Sequence, residues 1–251
     1  MSRFIRFSLL AGILAAPLFA AVSLTQALTR DAFDLTRHPM SMLSNGDLGW
    51  IQISNFVVSG LLSLLAAYGT RAVLSGPGGE SGPVGESGSD SGHGPDGGGR
   101  GATWAPRLLV MIGAGMLIAA VFRLDPGDGF PAGTPLGAPT TMSWHAIVHN
   151  VGGSLSFFSM IALCFVLARR FAAEGRRSWA RTGRIAALAF AALLLWAMTG
   201  GRAGALTLFV GVILAWGWIA ASSGSLLRRT YGYRRGSARM PAPRAATKLN
   251  A

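Results

Sequence analysis

Six long apolar segments restrict the folds open to this chain more than any other feature of its sequence. They cover roughly residues 7–28, 50–73, 105–122, 144–168, 182–200 and 203–221, and a helix needs about 20 apolar residues to cross a bilayer. Charged residues lie between these segments and make up 13% of the chain, against about 25% in a soluble protein. We therefore predict an all-α polytopic membrane protein, a bundle of six transmembrane helices.

The polar stretches divide the chain into two membrane parts. We predict transmembrane helices 1–2 with their outer loop in residues 1–74, and transmembrane helices 3–6 in residues 105–221. Residues 75–104 are rich in Gly and Ser, which predicts a disordered cytoplasmic linker because this composition cannot bury a core. Residues 222–251 are predicted to form an unfolded, basic cytoplasmic tail near the anionic inner leaflet.

The first segment has two interpretations. The stretch MSRFIRFSLLAGILAA has the basic start and the apolar run of a secretory signal peptide. Its apolar run passes 20 residues, which favours a helix retained in the membrane. Cleavage would leave five helices in the same orientation.

The arginine distribution predicts how the bundle is oriented. With the N-terminus in the cytoplasm, 18 of the 22 basic residues lie inside, and Arg30, Arg37, Arg123 and Arg202 lie outside. Because cytoplasmic loops carry such an excess, we predict a cell-membrane protein with both termini in the cytoplasm. Topology thus accounts for the net charge of +12, and nucleic acid is not expected as a partner. The excess of Arg, Ala and Gly is typical of a GC-rich bacterial genome.

A polar stripe in the second segment must face the interior of the bundle. Gln52, Asn55, Ser59 and Ser63 follow helical spacing, and lipid would leave their polar groups without hydrogen bonds. Asn55 and Gln52 lie near the outer face, where they are better candidates for a site than the two serines. The single cysteine, Cys164, lies in an apolar run and is predicted to be a small buried residue.

A histidine pair opens the fourth segment. His145 and His149 lie one helical turn apart. Gly152 and Ser156 continue their face, and small residues mark close helix contacts in membranes, so we expect both rings to point inward.

Three interpretations of this pair remain open. Both rings hydrogen-bond neighbouring helices, or they bind a head group or relay a proton, or they ligate a metal ion with Asp125 or His38. The His-x-x-x-His spacing matches one pair of zinc ligands. However, Ala146 replaces the glutamate of the HExxH motif, and the spacing fixes no third ligand. We therefore predict no metal site and no cofactor.

We predict an outward-facing polar pocket from residues that fall in the outer loops and outer helix halves. Asp125 is alternatively a cap or a partner of Arg123, His38 part of a structured connector, and Arg202 a side chain that snorkels to the interface. The predicted pocket consists of His145, His149, Asp125, Asn55, His38 and Arg202.

Three motifs carry a resemblance to a known family. The pattern HPMSMLSNGDLGWIQISNF, the FRLDP exit of the third segment and the histidine opening the fourth resemble the bacterial and archaeal membrane family called domain of unknown function 998. The resemblance covers most of residues 7–220. It implies a six-helix integral membrane protein, and it does not point to any particular activity. The long linker between helices two and three departs from the family.

A looser similarity exists to membrane hydrolases of the alkaline ceramidase and progestin-receptor type. Those proteins gather a Ser, an Asp and histidines around zinc at one membrane face, but they have seven helices with histidines in the last one. The residues that mimic their arrangement are Ser41, Ser44, Asp125, His145 and His149.

We expect a non-enzymatic membrane protein that binds or senses a lipid or small ligand in the outer polar pocket. The alternative is a metal-dependent hydrolase that acts on a lipid or amide at the outer leaflet, with zinc activating water. A transporter is disfavoured, because the charged residues cluster at one face and none marks a path through the midplane. Membrane lipids are the expected partners. The sequence leaves open whether the protein is an enzyme and what its oligomeric state is.

Overall fold

The computed structural model describes residues 2–75, 101–137 and 139–237, with side chains as far as Arg228. This part of the chain contains six α-helices, each long and apolar enough to cross a membrane, and one short 3-10 turn. The predicted all-α, six-helix membrane architecture is therefore confirmed. The helices are α1 (Arg3–Thr29), α2 (Gly49–Leu74), α3 (Trp104–Val121), α4 (Trp144–Ala173), α5 (Arg177–Met198) and α6 (Gly204–Ser237), and the 3-10 turn is Met40–Ser44.

The helices pack as a ring in chain order. Each helix contacts the next one, α6 closes the ring against α1, and α6 also touches α4 and α2. One apolar core runs through the bundle, and Phe171, Phe190 and Trp216 are among its largest fully buried side chains. Consecutive antiparallel helices place the α1–α2, α3–α4 and α5–α6 connections at one end of the bundle. The arginine-rich helix ends lie at the other.

Small residues let neighbouring helices approach closely. Gly115 of α3 lies against α4, where a Cβ atom would overlap the Gly152 carbonyl oxygen and the Ser156 hydroxyl. Ser156 Oγ also donates a hydrogen bond to the Ile112 carbonyl oxygen at 3.2 Å. The expected close contact at Gly152 and Ser156 is confirmed, with α3 as the partner helix.

Several helix ends extend beyond the predicted apolar segments. α1 begins at Arg3, α4 ends at Ala173 and α5 begins at Arg177. Hydropathy drops at the first arginine, but helical hydrogen bonding continues past it, because long arginine side chains reach the membrane interface.

The structure describes only part of the predicted tail and linker. α6 continues past position 221 to Ser237, so the expectation of an unfolded tail from position 222 is wrong for residues 222–237. Residues 238–251 lie outside the described residues. So do residues 76–100, which make up most of the predicted linker, and with them His93.

The buried positions in the membrane helices match the sequence pattern. Gln52, Asn55, Ser59 and Ser63 of α2 are all buried, which confirms that the polar stripe faces the bundle. Cys164 is fully buried, and its Sγ lies 3.7 Å from the Ala215 carbonyl oxygen, as expected for a small core residue.

Candidate functional site

Two loops, residues 30–48 and residues 122–137 with 139–143, fold together over one end of the bundle and form what we call the cap. A small apolar cluster joins the two loops, with Met40 and Leu43 from the first and Leu124 and Phe130 from the second. The Phe33 and Phe130 rings meet edge to face with centroids 5.1 Å apart. The cap is thus a packed unit with an apolar centre of its own.

His38 is buried inside the cap and links its two loops. Its Nδ1 accepts a hydrogen bond from the Asp34 amide at 2.9 Å. In the neutral ring Nε2 therefore carries the proton, and it donates to the Asp128 carbonyl oxygen at 2.9 Å. Since backbone groups occupy both ring nitrogens, His38 is a structural residue of the cap in this arrangement.

A two-pronged ion pair joins the same loops at the surface. Arg37 Nε donates to Asp128 Oδ2 at 2.9 Å, and Arg37 Nη2 contacts Asp128 Oδ1. The Arg37 side chain, and after it the Gly137 amide, hold the pKa of Asp128 below its usual range. The same hydrogen bond raises the pKa of Arg37.

Arg30 fixes the first loop from within. Its Nη1 and Nη2 donate to the carbonyl oxygens of Leu43 and Asn45 at 2.6 and 2.7 Å. Its guanidinium carbon lies 4.9 Å from the Phe130 ring centroid. Burial lowers the pKa of Arg30, and the charge of Asp47 opposes this shift. Two of the predicted outer arginines, Arg30 and Arg37, therefore hold the cap together.

Asp125 caps the start of α4. Its Oδ2 accepts a hydrogen bond from the Ser143 amide at 2.7 Å, and Ser143 Oγ accepts one from the Ala146 amide at 3.2 Å. The hydrogen bonds with Ser143 hold the pKa of Asp125 below its usual range. The sequence leaves open whether Asp125 caps a turn or pairs with Arg123. In the structure, Asp125 has the capping role.

The two histidines of α4 have different environments. His149 is buried, 4% exposed, and its Nδ1 lies 2.7 Å from the Phe122 carbonyl oxygen. His145 is exposed and stacks on Trp144 with ring centroids 3.7 Å apart. The expectation that both rings point inward is confirmed for His149 and wrong for His145. Four residues turn a helix by about 400°, so the two side chains diverge by about 40°, and His145 lies in the exposed first turn.

Asn55 belongs to a buried amide cluster between α1 and α2. Its Nδ2 donates to the Phe19 carbonyl oxygen at 3.2 Å and to Ser23 Oγ at 3.1 Å. Gln26 Nε2 donates to Gln52 Oε1 at 2.9 Å. Such interhelical hydrogen bonds satisfy polar groups that lipid cannot. The sequence carries a signal for this partner, because Ser23 and Gln26 lie three residues apart on α1.

A cavity of about 720 Å³ lies beneath the cap and is bordered by several helices, with α4 and α6 supplying many of its residues. Most of its lining side chains are apolar, including Met116, Phe157, Met160, Val212 and Trp216. The polar lining residues are Ser41, His149, Asn150, Ser154 and Ser156.

The cavity opens sideways through the helix surface. Val151 and Phe158 of α4 and Met198 of α5 line it and are 61%, 62% and 75% exposed. These apolar residues lie on helices that cross a membrane, so their exposed surface would meet lipid. The rim of the opening is therefore apolar, as a surface in contact with lipid requires.

The structure does not gather the six residues of the predicted polar pocket. His149 lines the cavity, Asp125 caps α4, and Arg202 is exposed in the α5–α6 turn, where its carbonyl accepts a hydrogen bond from Trp196 Nε1 at 3.1 Å. Sequence reasoning missed the apolar lining, since a Met or Phe beside a cavity has the same pattern as one in the core. The other predicted residues lie in the cap, in the amide cluster and on the α4 surface: His38, Asn55 and His145.

The part of the chain that the structure describes contains no set of side chains suited to binding a metal ion. Among residues 2–75, 101–137 and 139–237, no group of three His, Cys, Asp or Glu side chains lies close enough together to hold a metal ion. His38 and Asp125, the predicted additional ligands, already bind backbone groups.

Comparison with known proteins gives a match to a protein family. A family model described as protein of unknown function (DUF998) matches residues 13–85 and 92–224, which is well over half of the chain. The motifs of both cap loops and the histidines of α4 lie inside the matched ranges. Neither the curated proteins nor the solved structures give a match.

Proposed function

We propose a ligand-binding function for this chain, which belongs to the DUF998 family of unknown function and is a multi-pass membrane protein. In this proposal, the cavity beneath the cap binds the apolar chain of a lipid or another amphiphile. The observation that carries the proposal is the cavity itself, with its volume of about 720 Å³ and its largely apolar lining. Small-molecule sites have volumes of about 300–1,000 Å³ and few polar groups.

The distribution of polar groups supports an amphiphile. His149 and Asn150 line the cavity near the cap, whereas Met160 lines it deeper along α4. Met160 lies ten residues beyond Asn150, which is about 15 Å along the helix. A ligand with a polar head towards the cap and an apolar chain along α4 matches this gradient.

The chemistry at the polar end favours an uncharged head group that donates hydrogen bonds. His149 Nδ1 faces a carbonyl oxygen and so donates, which leaves Nε2 of the neutral ring as an acceptor. None of the described residues that line the cavity is an Asp, Glu, Lys or Arg. A hydroxyl group fits these conditions better than a phosphate or a carboxylate.

The membrane is the proposed source of the ligand. The sideways opening between exposed apolar residues supports entry from lipid without passage through water. We further propose that the cap lies on the outer side of the cell membrane and that both termini lie in the cytoplasm. The reason is that basic residues concentrate at the face opposite the cap. In this proposal, the protein binds or senses the amphiphile.

Thermal unfolding of the detergent-purified full chain, with and without monooleoylglycerol, tests the proposal. A ligand that binds the folded state at 100 times its Kd adds about 2.7 kcal/mol to the free energy of unfolding, so the midpoint temperature should rise. Gly153→Leu should abolish this rise by filling the cavity. Among the described residues, a Cβ there meets Phe157 Cε2 alone, at 4.0 Å, so the fold should tolerate leucine.

The matched control is Gly217→Leu, which adds the same side chain to a membrane helix outside this cavity. It should leave the rise with monooleoylglycerol intact. No rise in the wild type, or an equal rise in both variants, would refute binding in the cavity.

A further inference from the structure

A second cavity, also about 720 Å³, lies at the opposite, arginine-rich face of the bundle between α1, α5 and α6. Small residues form much of its wall, among them Ala16 and Ala20 of α1 and Gly217 and Ala221 of α6. Around a Cβ atom built at Gly217, no atom of the described residues lies within 4 Å. We call this cavity the groove; it shares no lining residue with the cavity beneath the cap.

Two arginines line the groove where it reaches this face. Arg176 Nη1 donates to Ser225 Oγ at 2.7 Å, and its guanidinium carbon lies 4.8 Å from the Trp179 ring centroid. Arg228 is exposed and lies three residues beyond Ser225 on α6, which is the spacing of side chains on one helix face. The two guanidinium groups therefore approach the groove from the residue that precedes α5 and from α6.

The charge around the groove is strongly positive. None of its described lining residues is acidic. Among the described residues at this face, Glu174 is the one acidic residue. Its Oε1 lies 3.0 Å from Arg170 Nε. The arginines Arg177 and Arg181 of α5 add further positive charge nearby. An anion is the complementary ligand.

We propose that the groove binds an anionic phospholipid of the leaflet at the arginine-rich face. Its phosphate is held by Arg176 and Arg228, since guanidinium groups bind phosphate oxygens in a two-pronged geometry. One acyl chain lies along the small residues of α1 and α6. Ile213 and Arg228 line the groove at its two ends on α6 and are separated by about 22 Å of helix. One leaflet of the hydrocarbon core is about 15 Å thick, so the groove is long enough for an acyl chain of that leaflet.

This site is independent of the proposed amphiphile site beneath the cap. The two sites lie at opposite faces, and the ligands differ because one cavity lacks charged lining residues and the other has two arginines. Failure of either proposal leaves the other standing.

Lipid binding by the full chain in detergent, measured by native mass spectrometry, tests the groove. Phosphatidylglycerol and phosphatidylcholine with identical acyl chains are the probes, because they differ in net charge. The wild type should prefer phosphatidylglycerol. Arg228→Gln should weaken phosphatidylglycerol binding about fivefold, the expected value of one arginine near an anionic lipid. Arg107→Gln, on α3, removes the same charge away from the groove and should bind like the wild type.

A second variant tests the acyl-chain part and does not depend on charge. Gly217→Leu should abolish the preference by filling the groove, whereas Gly153→Leu should keep it. Equal affinity for the two lipids would overturn the proposal, as would equal losses in Arg228→Gln and Arg107→Gln. Binding that inorganic phosphate alone displaces completely, or that survives Gly217→Leu, would also overturn it, because the acyl chain would then contribute nothing.

Discussion

Among individual residues, the described histidines show that surroundings rather than residue type decide what a polar side chain does. His38 and His149 are 2% and 4% exposed, and each contacts a backbone carbonyl oxygen of the second cap loop or its boundary with α3. His145 is exposed and stacks on its neighbour Trp144. Two of the three therefore bind backbone groups of a separate chain segment, whereas the third makes ring contacts with Trp144 and Phe122.

Replacing His38 should destabilise the cap. His38→Ala leaves the Asp34 amide and the Asp128 carbonyl, both part-buried, without their partner, and a buried group in that state costs about 1–3 kcal/mol. We expect the free energy of unfolding to fall by about 3 kcal/mol, which thermal unfolding in detergent would register as a lower midpoint. His145→Ala, at an exposed position, should change it by less than about 0.5 kcal/mol. Equal effects of the two variants would contradict the assigned roles.

The Arg37–Asp128 pair should make stability sensitive to acid. Arg37 holds the pKa of Asp128 below its usual range, so the carboxylate stabilises the fold at neutral pH. This contribution is lost as the pH falls below the ordinary aspartate value of about 3.9 and through the folded-state value. An exposed ion pair contributes less than about 1 kcal/mol, so the expected change is small.

The test compares thermal stability from about pH 7 to about pH 3 in Asp128→Asn and Asp31→Asn. Asparagine keeps the left-handed backbone of position 128, where φ is 52°. Asp128→Asn should be less stable than the wild type at neutral pH and should approach it in acid. Asp31→Asn, at an exposed position, should follow the wild-type curve. A constant difference for Asp128→Asn at all pH values would contradict this account.

Among the helices, close packing of α3 on α4 is the contact most sensitive to added volume. Gly115→Ala places a methyl group where the Gly152 carbonyl oxygen and the Ser156 hydroxyl already lie. Overpacking of this kind costs about 1–3 kcal/mol, so the unfolding midpoint should fall. Gly217→Ala introduces the same methyl group into open space and should leave the midpoint unchanged or slightly raised. A loss of stability in both variants would indicate a general intolerance of alanine at membrane glycines.

The helices were predictable from the sequence because each apolar run reports its own burial in lipid. Their ends were less so: α5 begins at Arg177 rather than near position 182, because arginine lowers hydropathy without ending a helix. The 3-10 turn Met40–Ser44 was expected only as a structured connector. Its apolar contacts, such as Met40 with the rest of the cap cluster, come from a segment about 90 residues away, around Phe130.

At the scale of the whole molecule, the bundle has two different ends. One is closed by the cap, whose charges are largely used in loop contacts, and the other carries most of the described arginines. The polar candidates were predictable as residues of the outer end, but not as a site. Whether Asn55 reaches a ligand or the Ser23 hydroxyl depends on how α1 packs on α2, and the spacing of Ser23 and Gln26 marks a polar face on α1 without fixing that packing.

The orientation of the bundle is a prediction that labelling can test. Cys164 is fully buried, so a cysteine introduced at an exposed position should dominate reaction with a maleimide that does not cross membranes. Ala132→Cys, in the cap, should react in intact cells. Ser178→Cys, at the start of α5, should react only after the membrane is permeabilised. The reverse pattern would place the cap in the cytoplasm.

The most direct test of the central claim is quenching of Trp216, which lines the cavity beneath the cap and is 1% exposed. The quencher is a monoacylglycerol with two bromine atoms on its acyl chain, titrated into the full chain in detergent. We predict saturable quenching that is largely lost in Trp216→Phe, although this variant removes one tryptophan of seven, and that is also lost in Gly153→Leu. Quenching that rises linearly with the brominated lipid, and is equal in wild type and Gly153→Leu, would contradict ligand binding in the cavity.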